Sequence, residues 1–391
     1  MDQITMLVDT NKNSHPESEM VNNGSIISMG WAVIEDVDLP SWSEKLLSTD
    51  AHYRQYPYWC EPYQDAGGFK PKYYSYRTPH GDAAYVCVLE RNFAGIKFGL
   101  VFRGPVAVGA HTVSDQIIND LCAVAKKNGY AFLRFTHRNE DFIDSLLRLP
   151  ESRQVESFPF DRDPPKSLIV TFAETDEETF NSFQPVGRRS IRVAEKAGFV
   201  ISKSDSVEDY RKIWPMLERL SERKSFALSN RNLDAWIQII ENARNQNCSM
   251  LYTASLDGVC VSAIHLLRYG QTVEFMLGAL DVGLLGKNPS PSALLHWHAM
   301  RDFYNAGCKY YNLGGPGDGV RNKVYQFKRK FHPELKQSPP AVTVVLDPFK
   351  YRCWDLAVLK GWLGSKRQIE RVQAKSKQIF QRTFSKKTNA I

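Results

Sequence analysis

The sequence predicts an α/β (α+β) protein built from two tandem copies of one unit, each a mixed, largely antiparallel sheet flanked by helices. Three observations carry that prediction. Strand-like runs separated by turn dipeptides occur twice in the same order. Each set is followed by a helix-period segment and one further strand-like run. The turn glycines pair at an offset of 175 to 178 residues: Gly81 with Gly258, Gly95 with Gly270, and Gly129 with Gly307.

In the first copy, "KYYSYRT" reads as a strand, "PHGD" as a turn and "AAYVCVLER" as the returning strand. "NFAG" then turns the chain into "IKFGLVFRG". "SDQIINDLCAVAKK" has helical spacing, a Ser-Asp start and an Asn128-Gly129 stop. "YAFLRF" reads as the strand after it. In the second copy the same parts are "SMLYTAS", "LDG", "VCVSAIHLL", "RYGQ", "TVEFMLGAL", the helix "SALLHWHAMRDFYNAG" and the strand "CKYYNLG".

The polar, proline-containing run "ESFPFDRDPPKS" (156–167) marks the boundary between copies. "LIVTFAE" and "TDEETFNSF" open the second copy as strand and helix, and "AVTVVLD" follows Pro339-Pro340 as a final strand. The expected organisation is a disordered N-terminus over 1–28, a first domain over 29–160 and a second over 161–340. Residues 341–391 then form a strand and a basic helix that packs on the first domain.

Composition excludes several classes. No apolar run reaches the ~18 residues that span a bilayer, and the polar start "MDQITMLVDTNKNSHPESEM" lacks the pattern of a secretory signal. A cytoplasmic protein is expected. The seven cysteines stand singly with no CxxC pair, which argues against a disulfide framework or zinc site and for packing roles. The net charge of +7 suits an anionic partner, and the tail from Lys366 to Lys387 is strongly basic. That tail reads either as a solvated helix end or as a contact for tRNA phosphates or an anionic membrane face.

Residues 311–331, "YNLGGPGDGVRNKVYQFKRKF", concentrate glycines and cations. Neither the Walker spacing nor the dinucleotide fingerprint is present, so the glycines read as a turn with positive φ that brings backbone close to a ligand. In the helix expected from Val320 onward, Val320, Val324, Phe327 and Phe331 form an apolar stripe. Arg321, Tyr325 and Lys328 share the adjacent face. In "GRRSIRVAEKAGF", Arg188, Arg192 and Glu195 fall on one helical face. The arginines suit a phosphate, or Arg192 pairs with Glu195 and Arg188 is solvated. His296 and His298, two apart on a helix, diverge and make no metal site. His265 is a core residue or a cleft proton acceptor, and Cys260 lies in a strand-like run.

These segments resemble the FemABX aminoacyltransferases, a family of tandem GNAT-like domains. The likeness is carried by "GRRSIRVAEKAGF", by "ERLSERKSF" (218–226) and by "YYNLGG" followed by "VYQFKRKF". In the first copy, "RQYPYW" and "VFRGPV" carry it. The resemblance implies amide formation between an amino acid carried on tRNA and an amine of a cell-wall precursor or other small acceptor. It implies no metal and no cofactor beyond the aminoacyl-tRNA donor, in a monomer working in the cytoplasm or at the inner face of the membrane. Lys328 and Tyr325 become the candidate catalytic residues. Arg223, Arg188, Arg192, Arg321, Gly314 and Gly315 become candidate substrate-binding residues. One departure stands out: members acting on nucleotide-linked acceptors carry a basic residue shortly after the first-domain Trp, whereas Trp59 is followed by Glu61 and by no Lys or Arg until Lys70.

Two other readings keep the fold. An acyl-CoA-dependent N-acyltransferase needs a pyrophosphate-binding loop within "DVGLLGKNPSPSA", which offers little for one. A non-enzymatic nucleic-acid or envelope-assembly module would rest on the basic tail and the aromatic segments "YRQYPYW" and "KPKYYSYR".

Overall fold

The computed structural model describes residues 21–22, 25–26 and 29–357, apart from 35–37, 63–67, 110, 156–164, 225–232, 245, 247 and 318–321. The N-terminal segment before Val21 and the basic tail after Ala357 lie outside the described residues.

After a small hairpin of β1 (Val21–Asn22) and β2 (Ser25–Ile26), the first copy runs through β3 (Gly30–Val33), β4 (Lys70–Thr78), β5 (Gly81–Phe93) and β6 (Ile96–Phe102). A short β7 (Val106–Ala107), the helix Asp115–Lys127, β8 (Phe132–Thr136), the helix Glu140–Leu147 and β9 (Ser152–Val155) follow. The second copy begins with β10 (Lys166–Thr171), the helices Asp176–Ser182 and Pro185–Lys196, and β11 (Val200–Ser204). After the helices Val207–Lys224 and Leu233–Arg244 come β12 (Ser249–Leu256), β13 (Val259–Tyr269) and β14 (Thr272–Leu280). The helix Ser292–Asn305, β15 (Tyr310–Asn312), the helix Lys323–Lys328, β16 (Glu334–Gln337) and β17 (Ala341–Val345) complete it. The paired glycines do the work expected of them: Gly81, Gly95, Gly129, Gly258, Gly270 and Gly307 all take positive φ.

The two sheets have the same plan. One is ordered β3-β4-β5-β6-β8-β17-β9, with β7 added on β5, and the other β11-β12-β13-β14-β15-β10-β16. Each is antiparallel except for one parallel pair, β6 with β8 and β14 with β15. The penultimate strand of each sheet comes from a distant point in the chain, and in the first sheet it is borrowed from beyond the second copy. β10, which follows the first copy, inserts between β15 and β16, and β17, which follows the second, inserts between β8 and β9. All five residues of β17 and all five of β8 are buried, so neither strand alternates polar with apolar.

One core runs through both copies. Tyr53, Trp59, Phe98 and Phe132 from the first belong to the same buried cluster as Trp236, Leu251 and Tyr269 from the second. Trp59 meets Trp236 edge-on with ring centroids 5.9 Å apart. Beyond β17 a helix begins at Pro348, and its Tyr351 and Trp354 pack on Phe132 at 5.2 and 4.8 Å.

The borrowed strand should be indispensable. Truncation before Ala341 is expected to leave β8 with one bare edge and β9 unpaired, and to abolish the cooperative thermal transition. Val342→Ala keeps the strand and should cost about 2 kcal/mol by urea unfolding.

Candidate active site

The parallel pair of the second copy comes apart. Thr272, Val273 and Glu274 stand opposite Tyr310, Tyr311 and Asn312, and there the register ends, although β14 runs on to Leu280. β14 also bulges at Met276, the extra residue between the partners of His265 and Leu266, and a bulge bends its strand. After Asn312 the chain leaves the sheet through Gly314 and Gly317, at φ +73° and +74°. The exit is pinned at both ends of Gly314. Its N–H donates to Asn312 Oδ1 at 2.8 Å, and its carbonyl accepts from Leu168 N–H at 3.0 Å. In the first copy β6 and β8 stay paired to their ends, Phe102 opposite Thr136. The open wedge therefore belongs to the second copy.

Lys328 occupies that wedge. Its helix starts at Lys323, capped by the Asn322 side chain on Val324 N–H, and passes after Lys328 into a tight turn over Arg329–Phe331. The lysine is 93% shielded from solvent, and its Nζ donates to the Gly315 carbonyl at 2.7 Å. The Phe275 ring lies 6.0 Å from Nζ. Burial pulls its pKa down to about 8, against the opposing pull of the Glu274 carboxylate.

Glu274 is the buried acid at the last rung before the strands part. Its carboxylate accepts from Tyr269 Oη at 2.9 Å and Asn312 Nδ2 at 2.8 Å. Tyr53 Oη stands at 3.5 Å and His52 Nε2 at 3.7 Å, both from the first copy. Burial drives the carboxyl pKa up, but His52, the positive charge of Arg138 and the Tyr269 hydroxyl together outweigh it and bring the group down to about 2. A charged carboxylate thus ties the two domains together beside the buried ammonium.

The candidate residues of the sequence reading part company here. Lys328, Gly314 and Gly315 converge, through the bond from Nζ to Gly315 and the approach of Nζ to 3.7 Å from where a Gly314 Cβ would stand. Tyr325 packs at the edge of the second copy's core with the Arg329 guanidinium 5.7 Å from its ring centroid. The expected apolar stripe forms only in part, with Phe327 and Phe331 packed in the second copy's core. The helix has six residues, Val324 is exposed, and Phe331 is buried from the following turn. Arg321 and Val320 lie outside the described residues. Arg223 is on the helix Val207–Lys224, and its side chain is likewise outside them. Arg188 is taken up structurally, donating to the carbonyls of Asn181 and Phe183. Arg192 lies over the Phe180 ring at 5.5 Å.

His265 is a core residue: its Nε2 shares a hydrogen bond with Ser249 Oγ at 2.9 Å, and burial pushes its pKa down to about 3. His296 is similar. Its Nδ1 meets Tyr311 Oη at 2.7 Å, and burial followed by the charge of Lys328 takes it to about 3. Burial raises the Cys260 thiol, which makes a thiolate nucleophile unfavourable there. Among the described residues no group of His, Cys, Asp and Glu could hold a metal ion. No described helix is long and apolar enough to cross a membrane. The sequence reading missed Glu274 and Asn312. A lone acid in the otherwise apolar "TVEFMLGAL" was the available signal.

The segment after β14 has its own anion built in. Asp281 caps the short helix Val282–Leu285, its Oδ1 accepting from the N–H groups of Gly283 at 3.0 Å and Leu284 at 3.1 Å. Arg219 holds its other oxygen at 2.9 Å.

Residues 184–329 match the family model of the acetyltransferase (GNAT) domain. The crystal structure of FemX superposes with a TM-score of 0.70 at 14% identity, over 83% of this chain and 99% of that one. The chain has a tandem GNAT fold. That is the architecture implied by the resemblance in the sequence. The structure of L-PGS from Bacillus licheniformis is similar at TM-score 0.51 and 13% identity, over 79% of this chain and 91% of its own. A conserved protein of unknown function from Bacteroides thetaiotaomicron reaches 0.55 at 8% identity, over 81% and 100%. No curated protein sequence matches the chain.

The Glu274 carboxyl is depressed in the tandem GNAT fold, so its stabilising contribution is present above the unfolded value of 4.5 and disappears as pH falls toward 2. Glu274→Gln is expected to lose about 3 kcal/mol in urea unfolding at pH 6. The gap to wild type should narrow steadily below pH 4.5. A gap independent of pH would mean that the carboxyl is not held ionised.

Proposed function

We propose that this protein is an acyltransferase that moves an aminoacyl group from tRNA to an amine of a cell-envelope precursor or another small acceptor. The buried ammonium of Lys328 at the parting of β14 and β15 is the observation that carries this reading. The amine nitrogen attacks the ester carbonyl carbon, and a C–N bond forms as the carbonyl oxygen becomes an oxyanion. Collapse breaks the C–O bond to the ribose, and the amine's proton leaves with the ribose hydroxyl. An ester needs no prior activation, so positioning and charge stabilisation suffice. An ammonium has three N–H donors, and Gly315 takes one of Lys328's. The other two serve the oxyanion or the phosphate end of the donor. In this shielded wedge their attraction for developing negative charge is stronger than in water.

Acyl-CoA as donor is the second reading, and Asp281 counts against it. The amides of Gly283 and Leu284, at the place where a pyrophosphate would be cradled, are already bonded to the Asp281 carboxylate. A carboxylate there also repels an incoming pyrophosphate.

Incubation with a pool of charged tRNAs and candidate amines should yield the amide product, whereas CoA should leave the melting temperature unchanged. Lys328→Ala is expected to lower kcat/KM about 100-fold or more, in line with the loss of an oxyanion donor. The charged form of Lys328 is the active one, so the rate should fall as pH rises through about 8. Full transfer by Lys328→Ala, or a rate that rises through that range, would remove Lys328 from the reaction.

A further inference from the structure

The helix Pro185–Lys196 presents cations away from the core. Arg189, Arg192 and Lys196 are exposed and line an open cavity of about 340 Å³ with Val193 and Pro185. Arg188 lines the same cavity while its Nη1 donates to the carbonyls of the preceding helix. The helix's one acid, Glu195, stands near His298 of the neighbouring helix, whose imidazole pKa is lowered, chiefly by burial.

The strip connects directly to the wedge. Gly187 packs so closely on the Lys330 carbonyl that a Cβ would not fit, and Gln184 N–H donates to the same carbonyl at 3.0 Å. Lys330 Nζ reaches Ser190 Oγ at 3.1 Å, beside Arg189. Lys330 itself is two residues from Lys328 in the turn that closes the site.

We propose that Arg189, Arg192 and Lys196, with Lys330, form the docking track for the phosphodiester backbone of an RNA whose end enters the Lys328 wedge. The proposal deepens the reading of an aminoacyl-tRNA donor and rests on it. Dimensions favour a polymer over a lone phosphate. At 1.5 Å per residue, Arg189 and Lys196 are about 10 Å apart along the helix, farther than a single phosphate group can bridge, whereas successive phosphates of one strand can engage both. The chemistry is suited too, since guanidinium groups engage phosphate oxygens in pairs.

Binding of an uncharged tRNA pool, followed by filter retention from 25 to 250 mM salt, tests the track without requiring transfer. Wild type should bind, with affinity falling steeply as salt rises. Arg189→Gln with Lys196→Gln should weaken binding about tenfold at low salt and make the slope of log affinity against log salt shallower by about 1.5. The milder Lys196→Gln variant, checked by its melting temperature, covers the case in which the double variant does not fold. It should lose about half of that slope change. Wild-type slope and affinity in a folded variant would overturn the proposal. So would wild type failing to bind RNA, or a variant that loses binding to vesicles of anionic lipid but not to RNA. Retained RNA binding with no transfer from any charged tRNA would instead overturn the proposed activity and leave the track standing.

Discussion

The first sheet is completed by β17, a strand from beyond the second copy, and this long-range pairing is the constraint on which the rest of the molecule depends. β10 bonds on both edges within the second sheet, and β17 does the same within the first. The first sheet does not reach its full width until the chain has passed through the second domain. The relative position of the domains is thereby set by backbone ladders rather than by surface contact alone. That rigidity lets residues from both copies meet around one buried carboxylate, Glu274, with His52 and Tyr53 on one side and Tyr269 and Asn312 on the other. A buried ion is tolerable only with such company.

The shared plan leaves each copy's parallel pair to follow its own course. In the first copy β6 and β8 remain zipped. On its other edge β6 ceases to pair with β5 beyond Leu100, and the Gln55 side chain bridges the gap from Cys87 N–H, at 2.8 Å, to the Phe102 carbonyl, at 2.5 Å. In the second copy β14 and β15 part after three residues, and the gap holds a lysine whose charge is only weakly favoured at neutral pH. One copy has closed its sheet with a side chain. The other has kept an opening lined by backbone and by one desolvated cation. A group that is costly to bury is retained where the geometry leaves room for chemistry.

Much of this was legible in the residues. Hairpin runs, glycine turns and the two long helices follow from local periodicity and turn chemistry, which need no partner to be recognised. Lys328 was singled out through its place in a recognisable segment, and the structure buries it beside Gly314 and Gly315. The bonds of Arg188 to the preceding helix were not legible, because spacing shows which residues share a face but not which carbonyls the preceding helix leaves unpaired. The stripe holds at Phe327 and Phe331 but not at Val324, because the helix there is only six residues long, too short for period to decide burial.

By itself, then, the amino-acid order determined the repeated α/β unit, its turns and the candidate segment at 311–331. Tertiary structure alone decided which strand completes which sheet, where β14 and β15 part, and that Glu274 is an ion held by both domains. The physical reason is range. Turns and periodicity are settled within a few residues, whereas Glu274 owes its charge chiefly to His52 and Arg138, more than a hundred residues away in the chain, whose approach only the finished fold can arrange.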